Sequence, residues 1–499
     1  MNTSSGSKPT AAVFGGSISG LMASLILNKK GFAVTLYERR TTYTRNIQWT
    51  CRQSFIDYLS SIDEEISKEF FKLVSPISNG SRFLSDKTLR YPDGAYAHRL
   101  RNRPRPGNCV VSKECCKESL SVPAVGIVRT KKFEEFLLKM VEKQPGINAV
   151  DKPAPCCKRV DDNFDRFVLV EDGQEKPCDL IVVCEGANST TREEVGIKSR
   201  SLSRSRKQVS GEVKLQRHGM IINYQHAKPD KDESKPSVEL LLSALLSTDI
   251  KESESEEKTT CWIIGDVSSE CAAQIDYLES QINKVGLEIE TLAREIEEAA
   301  TENSKLAYQK SKADAEASLL TYKNAKADSE ETEFRNIAAR TMLDTDQNIC
   351  GAGYTGVVEK VTTFPLQARL SNRAYAGENL VLAGDAVGAG HWSVGGGMHV
   401  AGMCHQKRLD ELATDLLNAP DNRLNWAQLE KYDQGVRADT IAWISLGIKD
   451  FYPSIPEDVL GAVFKRLVQE TLEQEARDLS VDINVPKLIK ERVAAVYFD

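Results

Sequence analysis

Gly15-Gly-Ser-Ile-Ser-Gly20, followed further along by Glu38, has the residue types to hold a dinucleotide. Gly15 permits a tight turn, and Gly20 lets a following helix lie close to the preceding strand. The helix would present its free N–H groups to a pyrophosphate. Glu38 stands where an acid accepts hydrogen bonds from a ribose hydroxyl. One position departs from the usual spacing: the middle glycine is Ser17, with Gly16 beside it to relieve the loop. An ordinary strand–turn–helix connection would use the same glycines. The turn alone therefore implies a nucleotide of no particular kind.

The elements that must position these residues are legible around them. Ala11–Phe14 is a short apolar run of strand type. Leu21, Ala23, Leu25, Ile26 and Leu27 give the apolar pattern of a helix, which Gly31 ends. Phe32–Tyr37 is a second strand and stops at Glu38. Two later segments repeat the scheme of an apolar strand running into glycine and acid. They are Cys178-Asp-Leu-Ile-Val-Val-Cys-Glu-Gly-Ala-Asn-Ser-Thr-Thr-Arg192 and Asn379-Leu-Val-Leu-Ala-Gly-Asp-Ala-Val387.

The first of these resembles the "D-G-A-N-S-x-x-R" segment of flavin-dependent aromatic hydroxylases, and the second their "G-D-A" segment. Together with the Gly15–Gly20 turn they resemble the single-component FAD monooxygenases of the p-hydroxybenzoate hydroxylase type (class A flavoprotein monooxygenases). Val128-Arg129, Phe364-Pro-Leu366 and Leu429-Glu-Lys-Tyr-Asp-Gln-Gly-Val-Arg437 are similar to smaller features of that family. Glu38-Arg-Arg-Thr-Thr-Tyr-Thr-Arg-Asn46 and His391-Trp-Ser-Val-Gly395 have a local likeness to the flavin domain of the MICAL actin monooxygenases.

The resemblance implies FAD as cofactor and NAD(P)H as co-substrate, with no separate nucleotide domain for the latter. It implies that Gly15, Ser17, Ser19, Gly20, Glu38, Arg39, Arg45, Arg129, Glu185, Gly186, Asp385, Gly395, Gly397 and Met398 hold the flavin nucleotide. The backbone around Gly395–Met398 would stabilise the reduced flavin anion from a helix N-terminus. Oxygen would then reach an electron-rich aromatic or polyketide-like small molecule through a flavin C4a-hydroperoxide, in a site that excludes water. His391, Trp392 and Arg52 are the candidate catalytic residues on the substrate side. His391 would relay protons or simply bond to backbone, and Trp392 would stack on substrate or pack. A flavin reductase or dehydrogenase of the same fold, or a non-enzymatic flavin-bearing assembly protein, would share these motifs.

Three departures from the family pattern stand out. Glu185 replaces the usual Asp and reaches one methylene further. The loop Gly388–Met398 contains no proline and many glycines, which makes its backbone permissive. His399 stands where the family has Asn.

Between the later motifs, residues 205–265 alternate in strand fashion, as in Val209–Leu215 and Cys261–Ile264. Ile275, Leu278, Ile282, Val285, Ile289, Leu292, Ile296 and Ala299 then form a heptad seam. An insertion must return to its origin, so the spacing predicts a helical hairpin, a coiled coil, over 269–330 with its turn near Thr301–Ser304. Each arm would be about 42 Å long. Such an arm pairs with itself, joins two copies in a homodimer, or docks another partner. Residues 424–499 read as helices: Trp426–Gln434, Thr440–Leu446 and Pro456–Leu472.

The expected fold is thus α/β. A discontinuous Rossmann-type FAD-binding domain spans 11–200 and 350–423, after a disordered tail at 1–10. A β-sheet substrate domain at 201–349 carries the hairpin, and C-terminal helices follow. A net charge of −7 gives no global footprint for nucleic acid. The 12 cysteines are scattered, as reduced thiols of a cytoplasmic protein are, and neither Cys115–Cys116 nor Cys156–Cys157 has the spacing of a zinc site. No metal, signal peptide or transmembrane helix is expected.

Overall fold

A computed structural model describes residues 8–40, 42–43, 47–76, 124–160, 166–203, 205–214, 220–226, 240–253, 256–341, 349–350, 353–354, 356–392 and 396–451. Along the chain come β1 (Thr10–Phe14), α1 (Ile18–Lys29), β2 (Ala33–Tyr37), β3 (Gln48–Arg52) and α2 (Gln53–Ile62). Next are β4 (Ala124–Arg129), α3 (Thr130–Glu142), β5 (Ile147–Val150), β6 (Leu180–Val183) and α4 (Thr190–Glu194). Then follow β7 (Arg206–Lys214), β8 (Met220–His226), β9 (Leu240–Ser253), β10 (Glu256–Asp266), α5 (Ser269–Glu298), α6 (Glu302–Thr341) and β11 (Val358–Leu366). The last elements among the described residues are β12 (Tyr375–Ala376), β13 (Leu380–Leu382), α7 (His405–Asn418) and α8 (Trp426–Phe451). The chain divides into two compact units.

The first unit comprises residues 1–81, 98–205 and 367–499. Its main sheet has the order β12-β13-β6-β1-β2-β5. All neighbours are parallel except the edge strand β12. Strands β6 and β13 are apolar throughout, and β1 from Ala11 on, because both faces of the sheet are covered there. Val13, Phe14, Ile181, Val182 and Leu380–Leu382 are fully buried. Each such side chain contributes about 1.5–3 kcal/mol relative to exposure. The register levels the strand ends: Phe14 pairs with Tyr37 and with Val183, and Val183 with Leu382. The residues after each strand therefore emerge along one edge, where open parallel sheets place ligands. Helix α1 packs against α3 and α7. A second ribbon pairs β3 with β4, and beneath it Phe55, Phe70 and Phe133 meet edge to face or tilted, centroids 4.5–5.8 Å apart.

The second unit comprises residues 82–97 and 206–366. Its antiparallel sheet has the order β8-β9-β10-β7-β11. Val209, Val213 and Ile263 face Ile275, Phe334, Ile337 and Ala338 of the two long helices. Gly211 lies under the Phe334 ring, which a Cβ there would meet at 2.8 Å. Because β11 pairs with β7, the sheet holds residues through Leu366. The return to the first unit thus falls after Leu366, whereas the sequence reading places it at 350.

Helices α5 and α6 pack along each other. Cys271 Sγ meets Ser329 O, and Lys326 pairs with Glu279 at 3.2 Å, so the two run antiparallel. The chain reverses at Ala299–Thr301, where the Thr301 and Ser304 hydroxyls meet at 2.8 Å. Ser268 caps α5, and the Glu333 carboxylate accepts from the Ser268 N–H. Ile275, Leu278 and Val285 of the heptad seam are buried, while Ile282, Ile289, Leu292 and Ile296 are half-buried. The second arm runs to Thr341, beyond the expected 330, because Phe334, Ile337 and Ala338 anchor its last turns on the sheet. Residues 426–451 form one helix instead of two. Gly435 does not break it, since the Arg408 side chain fills the space beside it. The expected helix Pro456–Leu472, like Cys115–Cys116, lies outside the described residues. Among the described residues, no helix is long and apolar enough to cross a membrane.

Candidate active site

The Gly15–Gly20 turn sits at the edge of the first unit's sheet. Gly15 has φ +95°, and its N–H donates to Tyr37 O at 2.8 Å. A Cβ on Gly15 would meet Cys184 O at 2.7 Å. Ser17 occupies the N-cap of α1 with φ −71°, which any residue adopts. Its hydroxyl turns to Cys184 O at 3.4 Å and makes no cap bond. The helix N–H groups thus stay available to an anion. The missing middle glycine is therefore tolerated by geometry.

Glu38 lies at the end of β2. Its Oε2 accepts from Gly16 N at 2.7 Å and Arg40 Nη2 at 2.6 Å. Its Oε1 accepts from Arg40 N at 2.8 Å and Arg40 Nε at 2.9 Å. Burial alone would raise the Glu38 pKa. The bonds and charge of Arg40, with the Gly16 N–H, reverse that and hold it below the usual carboxylate value. Tyr43 completes the corner: its hydroxyl donates to Gly16 O at 2.7 Å and its ring lies under the Arg40 guanidinium. Arg39 and Arg40 are both exposed, and it is Arg40 that folds back on Glu38; the sequence reading names Arg39 and not Arg40 or Tyr43. The basic pair after the acid was the available signal, but spacing could not say which member folds back.

The second segment follows β6. Glu185 Oε2 accepts from Ser189 Oγ at 2.6 Å and from Thr191 N at 3.1 Å, so this oxygen caps α4. The extra methylene gives it that reach. Gly186 is half-buried beside it. The terminal arginine of the segment, Arg192, is buried and donates from Nη1 to Ala187 O at 3.1 Å and Ala386 O at 3.3 Å. It ties the second segment to the third. Arg369 also donates to Ala187 O, at 3.1 Å. Burial holds the Arg369 pKa below its ordinary value, opposed by the charge of Asp385 and assisted by that of Arg192. Arg192→Leu should cost about 1–3 kcal/mol, since it leaves the buried Ala386 O without a charged donor while Ala187 O keeps Arg369. Urea unfolding midpoints compared at constant slope would show it.

The third segment follows β13. Asp385 stands half-buried in a single 3-10 turn, Gly384–Ala386. Gly384 N donates to His405 Nδ1 at 3.0 Å, and a Cβ on Gly384 would meet Ser19 Oγ at 2.8 Å. Gln406 Nε2 donates to Ser19 O, Ser19 Oγ and Ala401 O at 2.9–3.2 Å. Ala401 belongs to a π-helical stretch, Val400–Cys404, that joins Gly397–His399 to α7. Such wide turns often mark functional sites. His405 and Gln406 thus connect the first and third segments. Neither was singled out in the sequence, because a contact between residues so far apart leaves no local pattern.

Of the remaining candidates, His391 is fully buried, with its ring 4.9 Å from Trp392 and 4.8 Å from Phe451. Trp392 is half-buried, Gly397 half-buried and Met398 buried. His399 is buried with its ring edge-on to Phe55. Arg52 ends β3, whereas Arg129 ends β4 opposite Gln48. The antiparallel pairing therefore sets these two arginines at opposite ends of the ribbon. Arg45 and Gly395 lie outside the described residues. Cys156 is exposed and Cys157 half-buried on a peripheral strand, both as free thiols.

No protein-family model and no curated protein matches the chain. Solved structures do. PqsL of P. aeruginosa, in complex with 2-aminobenzoylacetate, is 13% identical with TM-score 0.52, covering 92% of this chain and 99% of PqsL. The p-nitrophenol 4-monooxygenase PnpA from Pseudomonas putida DLL-E4 is 12% identical with TM-score 0.49, covering 99% of each chain. The tetracycline destructase Tet(51) is 11% identical with TM-score 0.49, covering 94% of this chain and 98% of the other. At such identities the likeness is one of fold alone, here the fold of PqsL.

Proposed function

We propose that this chain is a FAD-dependent monooxygenase that uses NAD(P)H and O₂ to oxygenate an electron-rich aromatic or polyketide-like small molecule. The observation that carries the reading is the convergence of three segments on one sheet edge: Gly15–Gly20, Glu185–Ala187 and Gly384–Ala386, joined by Arg192 and by Ser19.

The residues present fit the cofactor. The α1 N-terminus keeps its N–H groups available, and glycines stand where side chains would fill the cradle. Glu38 supplies the carboxylate for a ribose, although Arg40 and Gly16 already use its four acceptor positions. Nucleotide entry therefore requires Arg40 to yield at least one of them. Ser17, Ser19 and Gly20 would hold the pyrophosphate, and Asp385 the ribityl chain. Bound FAD would take reducing equivalents from NAD(P)H and activate O₂ for transfer of one oxygen atom to substrate. Met398 and Gly397 open the helical run behind the loop and would face the flavin ring with a positive helix end. His391 and Trp392 would exclude water from the substrate side, being buried and half-buried.

The purified chain should carry FAD, be reduced anaerobically by NADPH or NADH, and on aeration incorporate one atom from isotopically labelled O₂ into an aromatic test substrate. Reduction followed only by hydrogen peroxide release, across a panel of phenols, anilines and polyketides, would replace this reading with that of a reductase or dehydrogenase.

A further inference from the structure

The Gly388–Met398 loop has glycines where α8 leaves no room for a side chain. A Cβ on Gly396 would meet Trp443 Cδ1 at 2.5 Å, and one on Gly390 would meet Trp443 Cδ2 at 2.9 Å. One on Gly397 would meet Trp443 Cη2 at 3.3 Å. A Cβ on Gly388 would meet Thr440 Cγ2 at 2.8 Å and overlap the Arg369 carbonyl oxygen. Trp443 is itself buried, and its indole N–H donates to His391 O at 3.0 Å. Phe451, also on α8, packs edge-on to the His391 ring.

The helix that presses on the loop is fixed at its other end. The Tyr432 hydroxyl donates to Leu382 O at 2.8 Å, and Asp433 accepts from Ala374 N at 2.6 Å. Both contacts tie α8 to the sheet strands that carry the Gly384–Ala386 turn. The loop's glycines are therefore not there for freedom alone. Gly390, Gly396 and Gly397 form a surface that receives the Trp443 indole.

We infer that Trp443 is a positioning residue: from α8 it sets where Gly390, Gly396 and Gly397 lie, and through them the environment of the bound flavin ring. The consequence for the flavin rests on the function proposed above; the packing of loop on indole does not.

The two are separable by one set of variants. Gly396→Ala should lower FAD retention about tenfold, and adding Trp443→Leu should restore most of it, because the pair is coupled. Gly397→Ala, with the looser contact, should lose little. Gly388→Ala should not be rescued by Trp443→Leu, since the backbone oxygen of Arg369 blocks it. Trp443→Phe keeps a ring but loses the N–H bond to His391 O. It should shift the flavin absorbance band and midpoint potential while the melting temperature stays near that of wild type. Melting temperatures of the Gly396/Trp443 set are measured alongside. Additive losses in both retention and melting temperature would overturn the inference, as would an unchanged spectrum and potential in Trp443→Phe. If the wild-type chain binds no flavin, the proposed function fails, and the melting-temperature cycle still decides whether Trp443 shapes the loop.

Discussion

Gly20→Ala should leave a chain that retains no FAD, with the fold weakened by roughly 3 kcal/mol or more, beyond ordinary overpacking. A Cβ at Gly20 would overlap the carbonyl oxygen of Gly15 and come within 3.4 Å of Cys184 Cβ. Neither neighbour can retreat cheaply. Gly15 is held by its bond to Tyr37 O and by its contact with the backbone of Cys184 and Glu185. The only relief is to lift α1 off the sheet, which moves with it the N–H groups proposed to meet the pyrophosphate. Gly31 supplies the control. Unlike Gly20 it is left-handed, φ +99°, yet no atom lies within 4 Å of its would-be Cβ. Gly31→Ala should cost about 1–2 kcal/mol for the backbone alone and leave flavin stoichiometry unchanged. Flavin-to-protein ratios after gel filtration, with urea midpoints, compare the two. Equal losses at both positions would mean that close approach of helix to strand is not what the cradle needs.

The contrast between these glycines shows which parts of the fold are legible from sequence. A strand running into a glycine turn is a local pattern: Ala11–Phe14, Leu180–Val183 and Leu380–Leu382 are short and uniformly apolar because both faces of the sheet are covered. The seam from Ile275 to Ala299 is likewise a local pattern, from which the spacing predicts a hairpin over 269–330. Its second arm runs on through Asp328-Ser-Glu-Glu-Thr-Glu333 to Thr341. Acidic residues are adequate helix formers, and Phe334 beyond them is fully buried. What stayed illegible is side-chain traffic between distant segments. That Glu38 would be met by Arg40 and not Arg39, that Glu185 would cap α4, and that Trp443 would fill the glycine loop all depend on three-dimensional neighbours. The loop is the sharpest instance. Its glycines read as conformational freedom, and in the folded chain they receive an indole.

His405 should make stability fall as pH drops from about 6.5 toward 4. Its Nδ1 accepts from Gly384 N, which can only donate, so the ring hydrogen sits on Nε2 and points to Val436 O and Thr440 Oγ1, 3.0 and 3.1 Å away. The neutral ring satisfies every partner. A second proton on Nδ1 would face the Gly384 N–H donor to donor. Burial lowers its pKa to about 4, from an ordinary 6.5. Below the ordinary value the unfolded chain takes up a proton that the folded chain refuses, so stability is lost as pH falls and the loss ends near the folded value. The full window is worth about 3 kcal/mol. His405→Gln retains an acceptor for Gly384 and a donor for Val436 but cannot titrate. Its stability should therefore fall less steeply than wild type over that window, while carboxylates titrate alike in both. His405→Leu should lose about 1–3 kcal/mol already at neutral pH, because Gly384 N–H is left buried without a partner. Denaturant midpoints taken in steps from pH 7 down to about 4.5 give the wild-type minus Gln difference directly. A flat difference would show that the buried ring does not govern the acid limb. The expected slope would place the anchor of the Gly384–Asp385 turn on a neutral histidine, and FAD release in acid should then follow the same curve.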